Sequence, residues 1–136
     1  MSLNKSNLIE ISGNLEDAEY LIDYYNKDEN IDIKDDHGFT PLLAAVKNKK
    51  IENVKILLLR GADINCKCHE GNSSLDYAIY NLDIKMIELL LENNIKRTGY
   101  NNYLYMRYKF PFLKDFMIED IKIYVNFYNN LYEKII

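Results

Sequence analysis

The chain has 136 residues, 48% of them hydrophobic and 28% charged, with a formal net charge of −4. That length and apolar content build one folded domain of modest core, and the acidic balance argues against a nucleic-acid partner held by bulk positive charge. No run of about 18 apolar residues and no basic-then-apolar start is present, so neither a transmembrane span nor a secretory signal is expected, and a soluble cytoplasmic protein is.

The first predicted elements are a helix pair over residues 3–25. Leu8 and Ile9 belong to its first helix, behind a polar outer face of Asn4, Lys5 and Asn7. Gly13 and Asn14 fall at the turn, and Leu15, Ala18, Leu21 and Ile22 recur at the spacing of a second helix. Residues 26–30, rich in Lys, Asp, Glu and Asn, have loop composition.

From Asp35 onward one 33-residue pattern is written twice without a gap, residues 35–67 over 68–100. Gly38 falls on Gly71, Leu42 on Leu75, Ala45 on Ala78, Val54 on Ile87, Leu57 on Leu90 and Leu58 on Leu91. A fixed period of this length marks a stacked repeat. Thr40 then Pro41 is a helix start, with a hydroxyl to accept from an orphan N–H and a proline pre-set for the first helical position. Leu42 and Ala45 share a face, Ala45 being small enough for close helix approach. Asn48 and Asn81 sit where a residue tolerant of left-handed geometry ends that helix. A second helix follows, with Ile51, Val54, Leu57 and Leu58 on one face, and stops at Gly61. Residues 62–71 make an extended loop to the next unit.

After Tyr100 the period decays while the helical signal returns. Residues 103–110 read as a short helix ended before Pro111. Ile118, Ile121, Val125, Tyr128 and Tyr132 mark one face of a longer helix, with Glu119 and Asp120 at its positive end.

The segments G-F-T-P-L-L-A-A and V-K-I-L-L-L-R-G-A-D-I-N resemble an ankyrin repeat. The first unit keeps T-P-L, the paired leucines and the G-A-D-x-N tail. In the second, Ser73 and Ser74 replace Thr-Pro, and Asn93 and Asn94 stand near the usual glycine. Leu43 and Asp76 replace the family's histidine, and Lys49 and Leu82 the glycine between helices. The resemblance implies an all-α solenoid of stacked helix-turn-helix units with short hairpin loops. It divides the single domain into an N-terminal capping repeat (1–34), two central repeats (35–67 and 68–100) and a degenerate C-terminal capping repeat (101–136). Terminal units with a polar outer face are what an open stack needs.

Chemistry-bearing residues are few. Cys66, Cys68 and His69, with His37 one repeat earlier, are the types zinc favours. Yet C-x-C-H is no common structural spacing, so loop residues and free thiols are expected, with no metal and no cofactor. Two cysteines two positions apart cannot staple a fold, which fits a reducing compartment. No G-x-G-x-x-G, P-loop, G-x-S-x-G or H-E-x-x-H occurs, so nothing supports an enzyme or a small-molecule substrate. Residues 96–114 hold Lys96, Arg97, Arg107, Lys109 and Lys114 with Tyr100, Tyr103, Tyr105, Tyr108, Phe110 and Phe112. Such a mixture covers the end of a stack, docks a protein, or stacks on single-stranded nucleic acid.

By family resemblance, loop tips and first helices form a concave face that binds a folded protein. The candidate contacts are Asp36, His37, Phe39, Lys47 and Asn48 in one unit and His69, Glu70, Asn72, Tyr80 and Asn81 in the next, with Phe39 and Tyr80 as anchors. A non-enzymatic, monomeric protein-binding module is therefore expected; single-stranded nucleic-acid binding through residues 96–114 is the alternative. Asn, Ile, Lys and Tyr are 60 of the residues, types with AT-rich codons. Short ankyrin-like chains with this bias resemble those of large DNA viruses, poxviruses especially, and of intracellular bacteria and protists, which implies a host-interaction factor working in host cytoplasm.

Overall fold

The computed structural model describes residues 6–81 and 83–96. They form six helices: α1 (Asn7–Asn14), α2 (Glu19–Tyr25), α3 (Pro41–Lys47), α4 (Ile51–Leu59), α5 (Ser74–Tyr80) and α6 (Ile84–Glu92). Each odd helix packs on the even helix that follows it, α3 lies between α1 and α5, and α2 touches α4. No strand forms among the described residues; one antiparallel bridge, Lys67 to Ser73, marks a hairpin. The fold is thus an all-α stack of helix pairs. The expected helices over 103–110 and 118–132, and Asn4 and Lys5, lie outside the described residues.

Local chemistry sets the helix starts. The Thr40 hydroxyl accepts from the Leu43 N–H at 3.2 Å, with Pro41 behind it. Ser73 does the same for Asp76 at 3.3 Å, and the Asp76 carboxylate accepts from the Ser73 N–H at 2.8 Å, closing a capping box. Asp76 is the residue that replaces the family's histidine, and here it caps. Ser6 caps α1, where Glu29 also accepts from the Leu8 N–H at 2.9 Å. A carboxylate at a helix N-terminus is favoured by the dipole.

Burial follows the predicted periodicity. Leu42, Ala45, Val54, Leu57, Ala78 and Leu90 are fully buried, and Leu8, Ile22 and Met86 join them. Ile51 and Leu58 are half-buried at the edge of the same stripe.

Three local expectations are corrected. Asn48 and Asn81 do end their helices, but with φ of −95° and −78°; the left-handed residue is Lys49, φ 62°, at the family's glycine position. Gly13 and Asn14 lie inside α1, and the turn comes at Leu15, Glu16 and Asp17, with Asp17 at φ 42°. Leu15 is consequently 42% exposed and outside α2. Gly13 serves close packing instead, since a Cβ there would meet the Asn48 amide at 3.0 Å and Ala44 Cβ at 3.1 Å.

Polar side chains join consecutive units. Asn48 donates to the Gly13 carbonyl at 2.8 Å, and Asn81, one repeat later, to the Lys47 carbonyl at 2.9 Å. Asn53, fully buried, accepts from the Ala18 N–H at 2.8 Å and donates to the carbonyls of Ser12 and Leu15 at 3.1 and 2.6 Å. Arg60 binds Asp23 at 2.8 Å and Glu19 at 3.2 Å, which draws the Asp23 carboxyl below the ordinary aspartate range, chiefly through that hydrogen bond. The loops are joined too: the Asp63 N–H donates to Asp32 at 2.9 Å.

Candidate functional site

Two hairpin tips and the first helices behind them enclose a groove of about 300 Å³. The first tip is held by Asp35, whose carboxylate accepts from the N–H groups of His37 and Phe39, both at 2.9 Å. Gly38 closes the turn at φ 80°, and a Cβ there would stand 2.5 Å from the His69 ring. Only glycine serves both needs. The second tip docks on the first through the His69 N–H and the His37 carbonyl, 3.0 Å apart.

This docking brings together side chains 38 positions apart. Phe39, half-buried, meets the Tyr77 ring of α5 with centroids 5.6 Å apart and planes tilted by 40°. Lys47, at the end of α3, places Nζ 4.9 Å from the Phe39 ring centre, a cation–π contact. The Tyr77 hydroxyl and the Cys68 thiol are hydrogen-bonded at 3.4 Å. Asp36 and His37 form one wall, His69 and Glu70 the other.

The thiols differ in character. Burial, then the nearby carboxylates of Asp63 and Asp32, push Cys66 up to about 11, so it stays protonated. Burial alone would raise Cys68 as well, but hydrogen bonds from the Tyr77 hydroxyl and the backbone around Asn72 and Glu70 bring it below its ordinary value. Tyr77 is pushed up to about 12 by burial and by that thiol. Cys66 faces Asp63 and Asp32 while Cys68 faces Tyr77, so the Cys-x-Cys-His set does not converge. Among the described residues no group of three or more His, Cys, Asp or Glu side chains is placed to hold a metal ion.

Of the ten contacts expected from the sequence, Asp36, His37, Phe39, Lys47, His69 and Glu70 line the groove. Asn48 and Asn81 do not, their amides being engaged between units. Asn72 is half-buried and its carbonyl accepts from the Cys68 N–H at 3.0 Å. Tyr80, 56% exposed at the end of α5, is not among the residues that line the groove. Cys68 and Tyr77 line it without having been anticipated. The available signal was Tyr77 itself, a large ring at the repeat position that holds Ala44 in the preceding unit. Of the segment 96–114, all but Lys96 lies outside the described residues.

Residues 8–101 match the family model described as Ankyrin repeats (3 copies). Among curated proteins, the chain is 33% identical over 76 residues to the human transient receptor potential cation channel subfamily A member 1, covering 54% of this chain and 7% of the channel. It is 36% identical over 73 residues to an ankyrin repeat protein of Rickettsia felis, covering 52% of this chain and 19% of that protein. A Rickettsia bellii ankyrin repeat protein is 42% identical over 59 residues, covering 43% of this chain and 8% of its own length. The chain thus spans less than a fifth of each of these relatives.

Proposed function

The chain belongs to the ankyrin-repeat family, whose members are generally non-enzymatic protein-interaction modules, and from that premise we propose that it binds a folded protein partner through the groove between its two central hairpin tips. One observation carries the reading: Phe39 and Tyr77, from different units, meet inside a groove whose walls are exposed polar side chains. Aromatic side chains in a recess with a polar rim are the usual anchors of protein interfaces. Among the described residues no helix is long and apolar enough to cross a membrane. The finer reading of a host-interaction factor working in host cytoplasm rests on the AT-rich residue bias and its resemblance to viral and bacterial ankyrin chains.

The test compares proteins retained from lysate by the wild-type chain and two variants. Phe39→Ala opens the groove, and Tyr20→Ser with Tyr24→Ser alters the exposed face of α2, where these rings are 80% and 53% exposed. A partner anchored at Phe39 is captured about ten-fold less well by the groove variant, as a truncated hot spot demands, and unchanged by the α2 variant. Loss with the α2 variant alone moves the interface to the second helices and refutes the groove.

A further inference from the structure

We propose that the groove accepts the side chain of an arginine in a basic segment of the protein partner. This rests on the reading of the groove as the recognition face. The groove holds two carboxylates, Asp36 and Glu70, on facing tips, and neither side chain has an ion pair or hydrogen bond among the described residues. One fixed cation, Lys47, faces them, so with both histidines neutral the lining carries an excess of one negative charge. Lys47 does not spend its ammonium on either acid; it lies over the Phe39 ring, 4.9 Å from the centre. The chain's own lysine thus occupies the place a cation takes against this aromatic floor, while the acids that would complete the site stay open.

Guanidinium suits these elements better than the other common side chains. It is planar and weakly hydrated, stacks on aromatic faces, and presents a fork of donors to carboxylates. Against Phe39 and Tyr77 the plane stacks, and the fork reaches toward Asp36 or Glu70. A volume of about 300 Å³ is at the small end for binding sites and fits one side chain rather than a drug-sized molecule. An acidic residue entering the same space meets two like charges before it meets Lys47. The arrangement makes Lys47 a competitor: it screens the groove when empty, and the incoming arginine displaces it from the ring.

The experiment is a nuclear magnetic resonance titration of the full chain with blocked pentapeptides Gly-Ser-Xaa-Ser-Gly, in which Xaa is Arg, Lys or Glu. The arginine peptide is expected to shift the amide resonances of His37, Phe39 and Tyr77 saturably, the lysine peptide several-fold more weakly, and the glutamate peptide not at all. Asp36→Asn with Glu70→Gln should weaken the arginine peptide by about ten-fold with an unchanged thermal midpoint, because both residues are exposed. Lys47→Met should strengthen it, a gain that a merely structural role for Lys47 does not produce. Binding of the glutamate peptide at those resonances, or undiminished arginine binding by the neutralised variant, overturns the arginine assignment and leaves the groove standing as a recognition site. Failure of the arginine peptide to shift them also overturns it, and the capture comparison with Phe39→Ala then decides separately whether the groove binds protein.

Discussion

Replacing Asn53 removes a fully buried polar link between the first two helix pairs. Its amide, 1% exposed, makes three hydrogen bonds to α1 and the turn after it. Two of the groups it serves have no route to water: Ser12 is fully buried and Ala18 is 2% exposed. The Leu15 carbonyl belongs to a residue 42% exposed and can be rehydrated. A buried group left without a partner costs about 1–3 kcal/mol, so orphaning the Ala18 N–H and the Ser12 carbonyl costs about 2–6 kcal/mol. Against a total stability of about 5–15 kcal/mol that is a large share. Asn53→Met is the variant of choice, because Met86 fills the same repeat position in the next unit, fully buried; its greater bulk adds an overpacking cost of about 1–3 kcal/mol to the lost hydrogen bonds. At about 3.5 °C per kcal/mol for a chain of this length, thermal unfolding followed by circular dichroism should show a midpoint at least about 7 °C lower. The control is Asn48→Ala, an exposed residue with one inter-unit bond of 2.8 Å, expected to lose about 0.5–1.5 kcal/mol. If Asn53→Met loses no more than Asn48→Ala, the buried amide does not hold the units together.

Lys49→Gly should raise stability by about 0.5–1 kcal/mol, since Lys49 is held at φ 62°, where a side chain is strained and glycine is not, less the entropy glycine adds to the unfolded chain; a lower urea midpoint would contradict this. The Asp23 carboxyl, depressed by Arg60, contributes stability that is present above the ordinary aspartate value of about 3.9 and is lost as pH falls through its lower folded value. Carbon-detected titration should place Asp23 below that value in the wild type and return it upward in Arg60→Ala, and no difference between the two would remove the Asp23–Arg60 pair as the cause.

What the sequence determined by itself is short-range. The starts at Thr40 and Ser73 follow from a hydroxyl meeting an N–H three residues on, and the burial of Leu57 and Leu90 follows from a 3.6-residue period. The 33-residue repeat then stacks these units, and six of the ten expected contacts came to one groove because they occupy hairpin tips and first helices, whose positions the repeat dictates. Only the tertiary structure decided what each polar residue at a junction does. Asn48, Asn53 and Asn81 look on paper like solvated or loop-ending residues, yet each reaches a carbonyl in the neighbouring unit. Tyr77 is one ring among twelve tyrosines in the sequence; it becomes the floor of the groove because α3 and α5 pack side by side and bring it to Phe39. The physical reason is the same in each case: which face of a unit meets water and which meets its neighbour depends on the rotation and offset between successive helix pairs, a quantity set by the packing of buried side chains from two units at once and written in neither unit alone.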